Sequence, residues 1–121
     1  MRFMTIYKPA DTKRMEAGTP PTKDEIARMG EFIQELAKTG VLIQADGLLP
    51  SATGARVRQA GGKVTVTDGP FSEAKELIGG FAIVEVKSKE EAIELTKRFL
   101  KVAGDGESEI RQMHDAPAFE S

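Results

Sequence analysis

Apolar and polar residues alternate along this chain in stretches of two distinct periods, and their order outlines an architecture. From Arg2 to Tyr7, Phe3, Thr5 and Tyr7 alternate with Met4 and Ile6, which predicts a strand. Residues 8–21 lack a period and predict a long loop ending in Pro20-Pro21. Thr22 with Glu25 forms a capping-box pattern, after which Ile26, Met29, Ile33 and Leu36 mark one helical face. Gly40 stops that helix, and Val41–Gln44 predicts a short strand. Gly, Pro, Ser and Ala then predict a loop over 45–55. Arg56–Gln59 and Lys63–Thr67 flank Gly61-Gly62, a hairpin signal.

Beyond the hairpin, Asp68-Gly69-Pro70-Phe71 forms a corner, since glycine tolerates unusual φ and proline fixes its own. Glu73–Ile78 predicts one or two helical turns, ended by Gly79-Gly80. Phe81–Val86 predicts a strand that is apolar on both faces, with Phe81 and Ile83 opposite Ala82, Val84 and Val86. Ser88 and Glu91 suggest a second capping box. A helix through Ala92, Thr96, Phe99 and Ala103 follows, with Ile93 and Leu100 beside that face and Gly104 as its end. Glu107–Met113 predicts a last strand, and residues 114–121 a tail.

The fold class expected is α+β: β-α-β, a hairpin insertion, then β-α-β, in a ferredoxin-like subunit. At 121 residues the chain is expected to be a single domain spanning 1–121. Both helices would cover one face of the sheet. The strand at 81–86, apolar on both faces, then needs a second cover, and another subunit supplies it best. A homodimer with facing sheets is the expectation.

Composition narrows the chemistry. Seventeen basic against 19 acidic residues give a net charge of −2, too little basic surplus for direct nucleic-acid binding. There is no cysteine, which removes disulfides, zinc–thiolate sites and cysteine nucleophiles. One histidine and no cysteine argue against a transition-metal site, and neither Gly61-Gly62 nor Gly79-Gly80 belongs to a phosphate-loop pattern. No cofactor and no metal are therefore expected. The interrupted N-terminal segment does not suit a signal peptide, and no apolar run reaches the roughly 18–20 residues of a membrane span. A cytoplasmic protein without a membrane partner is the expectation.

Several segments together resemble one family. They are Glu16-Ala17-Gly18, Gly54-Ala55-Arg56-Val57, Thr67 through Phe71, Glu73-Ala74-Lys75-Glu76, Gly80-Phe81 and Glu109-Ile110-Arg111-Gln112. The chain resembles the YCII-related family in its Asp-Gly-Pro-Phe branch, almost end to end. That resemblance implies a ferredoxin-like subunit pairing into a dimeric α+β barrel. For some members it implies lyase or isomerase activity, like that of the muconolactone enzymes, with a His–Asp pair in the cleft. For members of the Asp-Gly-Pro-Phe branch it implies a sensing or regulatory role beside extracytoplasmic-function sigma factors. The family histidine falls near Met29 here, and a thioether cannot transfer protons.

The polar candidates cluster around the corner. Asp68 is a candidate base or ligand-orienting carboxylate; the alternative is a turn cap. Lys75 is a candidate for binding an anion, with Glu73 or Glu76 as acid–base partner; the alternative is a solvated helical turn. Arg56 shares a strand face with Arg58 and suits a carboxylate clamp, or else the solvent side of an edge strand. Lys8 and Arg111 are candidates to face the same opening, and Gly69, Pro70 and Phe71 would line it. His114, beside Asp115, reads as an exposed tail residue. Three functions follow: a small-molecule sensing module, a lyase or isomerase for a small anionic organic acid, or a structural dimerisation module. In the second, Asp68 or Glu73 is the base and Arg56 or Lys75 the clamp.

Overall fold

The computed structural model describes residues 1–71 and 77–115. Its elements run β1 (Arg2–Pro9), α1 (Thr12–Glu16), α2 (Lys23–Lys38), β2 (Leu42–Gly47), a 3₁₀ turn (Ser51–Thr53), β3 (Ala55–Ala60), β4 (Lys63–Asp68), β5 (Gly80–Glu85), α3 (Lys89–Ala103) and β6 (Gly106–Gln112). The order is the expected mixed α+β one. Four strands form a sheet in the order β2-β5-β1-β6, and β3 and β4 form a separate two-stranded sheet. Every pair is antiparallel.

Pairing registers sort the side chains onto two faces, because opposed residues in a ladder share a face. Phe3 opposes Val84 and Gln112, and Thr5 opposes Ala82 and Ile110. This is the helix-covered face. Phe3, Val84, Val86 and Ala92 form its buried core, with Val41, Leu42, Leu95 and Ile110 packed against them. The Tyr7 ring meets Phe99 of α3 edge-on at 5.3 Å, and Phe99 lies 6.4 Å from Phe32 of α2. One aromatic series thus joins the sheet to both helices.

The opposite face carries Met4 and Ile6 on β1 with Ile83 and Phe81 beside them on β5. All four are half-buried, and neither α2 nor α3 packs over them. A sheet apolar on both sides and helix-covered on one is what the alternation predicted.

Four elements differ in extent or facing from the sequence reading. The stretch 8–21 is not all loop: β1 continues to Pro9, and Asp11 caps α1 by accepting from the Arg14 amide at 3.1 Å. In α2, Phe32 and Leu36 are buried whereas Ile26 is 58% exposed. Six residues at about 100° each place Ile26 about 120° around the helix from Phe32, so the aromatic sets the inward face. In β2, a register shift between Leu42 and Gln44 turns Ile43 outward, and the strand runs on to Gly47. Leu77 and Ile78, expected to close a helix, are not helical; the rest of that segment lies outside the described residues.

The helix starts follow the capping logic. Thr22 Oγ1 accepts from the Glu25 amide at 3.1 Å, and Glu25 Oε1 accepts from the Thr22 amide at 2.9 Å. At α3 only half the box forms. Ser88 caps the Glu91 amide, but the Glu91 carboxylate reaches past Ser88 to the Lys87 amide at 3.0 Å. The Glu25 carboxylate also accepts two bonds from the Arg14 guanidinium, at 2.7 and 3.1 Å. This ties α1 to the start of α2. The hairpin turn is also as expected, with Gly61 and Gly62 both at positive φ.

Two outcomes test this fold. Phe3→Ala removes a ring at the centre of the core, and urea denaturation should report a loss of about 3–5 kcal/mol. Glu25 is pulled down from 4.5 to about 2, chiefly by the Arg14 hydrogen bonds and then by the Thr22 amide. Its contribution is therefore complete above the unfolded value and lost as pH falls towards 2. The stability gap between wild type and Glu25→Gln should close between pH 5 and roughly pH 2, read by denaturation at each pH.

Candidate functional site

The corner after β4 is held by contacts to residues distant in sequence. Asp68 opposes Ala55 at the open end of the hairpin, and the next amide, Gly69, donates to the Gly54 carbonyl at 2.9 Å. A Cβ on Gly69 would lie 1.8 Å from the Ser51 carbonyl oxygen, so no other residue fits without moving the backbone. The Phe71 amide donates to Ser51 Oγ at 3.0 Å. That hydroxyl donates in turn to Glu16 Oε2 at 2.5 Å, and the Ser51 amide donates to Glu16 Oε1 at 3.0 Å. The two bonds from Ser51, led by the hydroxyl, hold the Glu16 carboxyl below its ordinary range. The Arg56 guanidinium lies over the Phe71 ring, 4.0 Å from its centroid.

A second group lies on the face of the sheet that the helices leave uncovered. Arg111 opposes Met4 and Glu109 opposes Ile6, so both project beside the apolar centre. Glu109 takes Arg111 Nη1 at 3.1 Å and Lys8 Nζ at 3.6 Å, one on each carboxylate oxygen. Lys8 reaches diagonally for this, because its direct neighbour on β6 is Glu107. The Arg111 bond first, and then the Lys8 charge, keep Glu109 ionised below its usual range. Two cations share one carboxylate, and Glu107, opposite Lys8, adds a second carboxylate to the same face. At the other edge, on β2, Gln44 Nε2 donates to Asp46 Oδ2 at 2.8 Å. The uncovered face therefore has an apolar middle, a β1–β6 side of mixed charge and an acidic β2 side.

The sequence candidates thus separate into two places. Gly69, Phe71 and Arg56 come together at the corner, with Pro70 between Gly69 and Phe71 in the chain. Lys8 and Arg111 meet at the β1–β6 side. Asp68 shares its ribbon face with Ala55, Val57 and Val66, whereas Arg56 lies on the other face with Thr67. Among the described residues the exposed Asp68 carboxylate makes no hydrogen bond or ion pair. Glu73, Lys75 and Glu76 lie outside the described residues. His114 is exposed, as expected of the tail, and its carbonyl accepts from Arg2 at 2.8 Å.

Three participants have no role assigned by the sequence reading: Glu16, Ser51 and Glu109. Glu16 and Glu109 lie in segments that carry the family resemblance, which is their one signal. Ser51 lies in a segment that reads as loop. An open cleft of about 550 Å³ also lies on the hairpin, lined by Arg56, Val57, Arg58, Thr65 and Thr67. Its two guanidiniums suit an anion in chemical type. Among the described residues no three His, Cys, Asp or Glu side chains converge as metal ligands, and no helix is long and apolar enough to cross a membrane.

This architecture and motif set define a small α+β domain of known kind. The chain belongs to the YCII-related family, whose sequence profile matches residues 1–115. It is 31% identical over 64 residues to an uncharacterised protein of Rhizobium meliloti (strain 1021). That match covers 53% of this chain and about half, 52%, of the relative. The fold is also similar to that of 5-chloro-2-hydroxyhydroquinone dehydrochlorinase (TftG) from Burkholderia phenoliruptrix AC1100, solved with 2,5-dihydroxybenzoquinone. The TM-score is 0.52 at 14% identity, covering 94% of each chain. At that identity the likeness concerns the fold.

The corner makes a direct test. Gly69→Ala must push the 51–53 turn away from the hairpin base, at a cost of about 1–3 kcal/mol or more. Thermal unfolding should show that loss, and nuclear magnetic resonance shifts should change at Glu16, Ser51 and Phe71 together. A change confined to residues 68–70 would contradict the linkage.

Proposed function

We propose that this chain is a homodimeric small-molecule-binding protein that holds a small anionic organic molecule over the uncovered face of its sheet. The observation that carries this is the Lys8–Glu109–Arg111 trio beside Met4, Ile6, Phe81 and Ile83. An apolar floor takes up a ring or short carbon skeleton. The Lys8 ammonium and the Arg111 guanidinium, set among Glu107 and Glu109, offer charged donors to a carboxylate of the ligand. The strand order β2-β5-β1-β6, with both helices on one face, supports a ferredoxin-like subunit. The half-covered apolar centre supports a second subunit as the cover, closing a dimeric α+β barrel. A sensing role is the first reading, since Met29 stands near the position of the family histidine and offers no proton transfer. The sigma-factor association belongs to this reading on the strength of the resemblance alone.

A lyase or isomerase is the second reading. It is favoured by TftG, whose name describes a dehydrochlorinase and whose bound molecule is a small, planar, ionisable ring. In that reading Asp68 or Glu73 serves as base. A module that only dimerises is the remaining outcome.

Calorimetric titration with a panel of hydroxybenzoates and dihydroxybenzoquinones tests the binding site. At least one compound should bind wild type, and Arg111→Ala and Lys8→Ala should each weaken it about ten- to a hundredfold, the worth of one charge-assisted hydrogen bond. Compounds that bind the variants and wild type equally would overturn the site. Turnover of a bound compound would decide for the enzyme.

A further inference from the structure

The hairpin β3–β4 is exposed along the whole of both strands, yet its two faces differ in chemistry. The register puts Val57, Val64 and Val66 on one face, with Ala55, Gln59 and Asp68. Arg56, Arg58, Lys63, Thr65 and Thr67 occupy the other. Alternation of this kind belongs to a sheet with one wet and one buried side. The three valines are 69%, 57% and 64% exposed, and nothing in the described part of the subunit covers them.

The ribbon is not free to fold back at will. The Gly69 amide bonds to Gly54, the Gly69 backbone presses on Ser51, and Phe71 is tied through Ser51 to Glu16. A two-stranded ribbon is at best marginally stable by itself in water, so a cover for its apolar side is expected. Area points to what that cover is. Four strands at about 4.8 Å spacing and six residues at about 3.3 Å make a sheet face of roughly 400 Å². A stable dimer buries about 800 Å² on each partner. The flat footprint of the uncovered sheet face falls short of that.

We infer that the valine face of the hairpin is the second half of the subunit interface, and that it docks on a second copy of this chain. The inference rests on the homodimer reading above and specifies the surface. In a two-fold dimer each residue of the patch is used twice, so its disruption counts twice. The arginine–threonine face then stays outward, which leaves the hairpin cleft open.

Sedimentation over a dilution series decides the matter. Val57→Glu with Val66→Lys places opposite charges across the ribbon, which preserves the strand pair while removing its apolar face. The matched control, Arg58→Glu with Thr65→Lys, puts the same pair on the other side. The expected result is a dimer dissociation constant raised at least a hundredfold in the valine variant and within threefold of wild type in the control. In addition, Val66→Cys, in a chain with no other cysteine, should be alkylated faster as dilution drives dissociation. A dimeric wild type with an unchanged valine variant and dilution-independent alkylation would overturn the hairpin inference while leaving the sheet-face dimer standing. A wild type that is monomeric at micromolar concentration would overturn both.

Discussion

The register of β1 between β5 and β6 governs the whole molecule. A strand presents alternate residues to opposite sides, so a slip by one position would exchange Phe3, Thr5 and Tyr7 for Met4, Ile6 and Lys8. The ring that fills the core would then lie uncovered, and a lysine would enter the helix layer. The native register is fixed by both sides at once. Phe3 is buried among Val84, Val86 and Ala92, while Tyr7 meets Phe99 and donates its hydroxyl to the Gly104 and Asp105 carbonyls at 3.2 Å. Burial, and then the nearby Asp105 charge, push the Tyr7 phenol above its ordinary value, so it stays a neutral donor. The same register delivers Lys8 to Glu109 on the opposite side. Core and candidate site are two faces of one alignment.

The features legible in the sequence are those that depend on near neighbours. The Thr22–Glu25 box, the Gly61-Gly62 turn and the two-faced character of residues 81–86 each lie within a few residues of their cause. Helix α1 escapes detection because five residues make too little periodicity to register. Ile26 is misplaced because several apolar residues in α2 compete for the inward face, and the choice depends on Phe99, an aromatic more than 60 positions away. The outward turn of Ile43 depends on an irregularity that only pairing with β5 reveals.

The candidate site is legible in its residues but not in its grouping. Lys8 and Arg111 stand about 100 positions apart and meet because β1 and β6 are neighbours in the sheet. Glu109, which joins them, stands in the sequence only as part of the Glu109-Ile110-Arg111-Gln112 segment. At the corner, glycine at 69 suggests backbone freedom, whereas in the structure its missing side chain admits the Ser51 carbonyl. That requirement depends on a residue 18 positions upstream. Sequence spacing reports what a residue can do locally; a tertiary partner decides which of those capacities is used.

Gly69 has a counterpart at the far end of the same connection. A Cβ on Gly79 would crowd Pro9 and Met15 at 3.0 and 3.3 Å, and one on Gly80 would meet the Asp46 carbonyl oxygen at 2.9 Å. The route from β4 to β5 is thus pinned where it leaves one strand and where it joins the next. A side chain added at any of these three glycines would therefore pass its strain straight into the strand or turn it abuts.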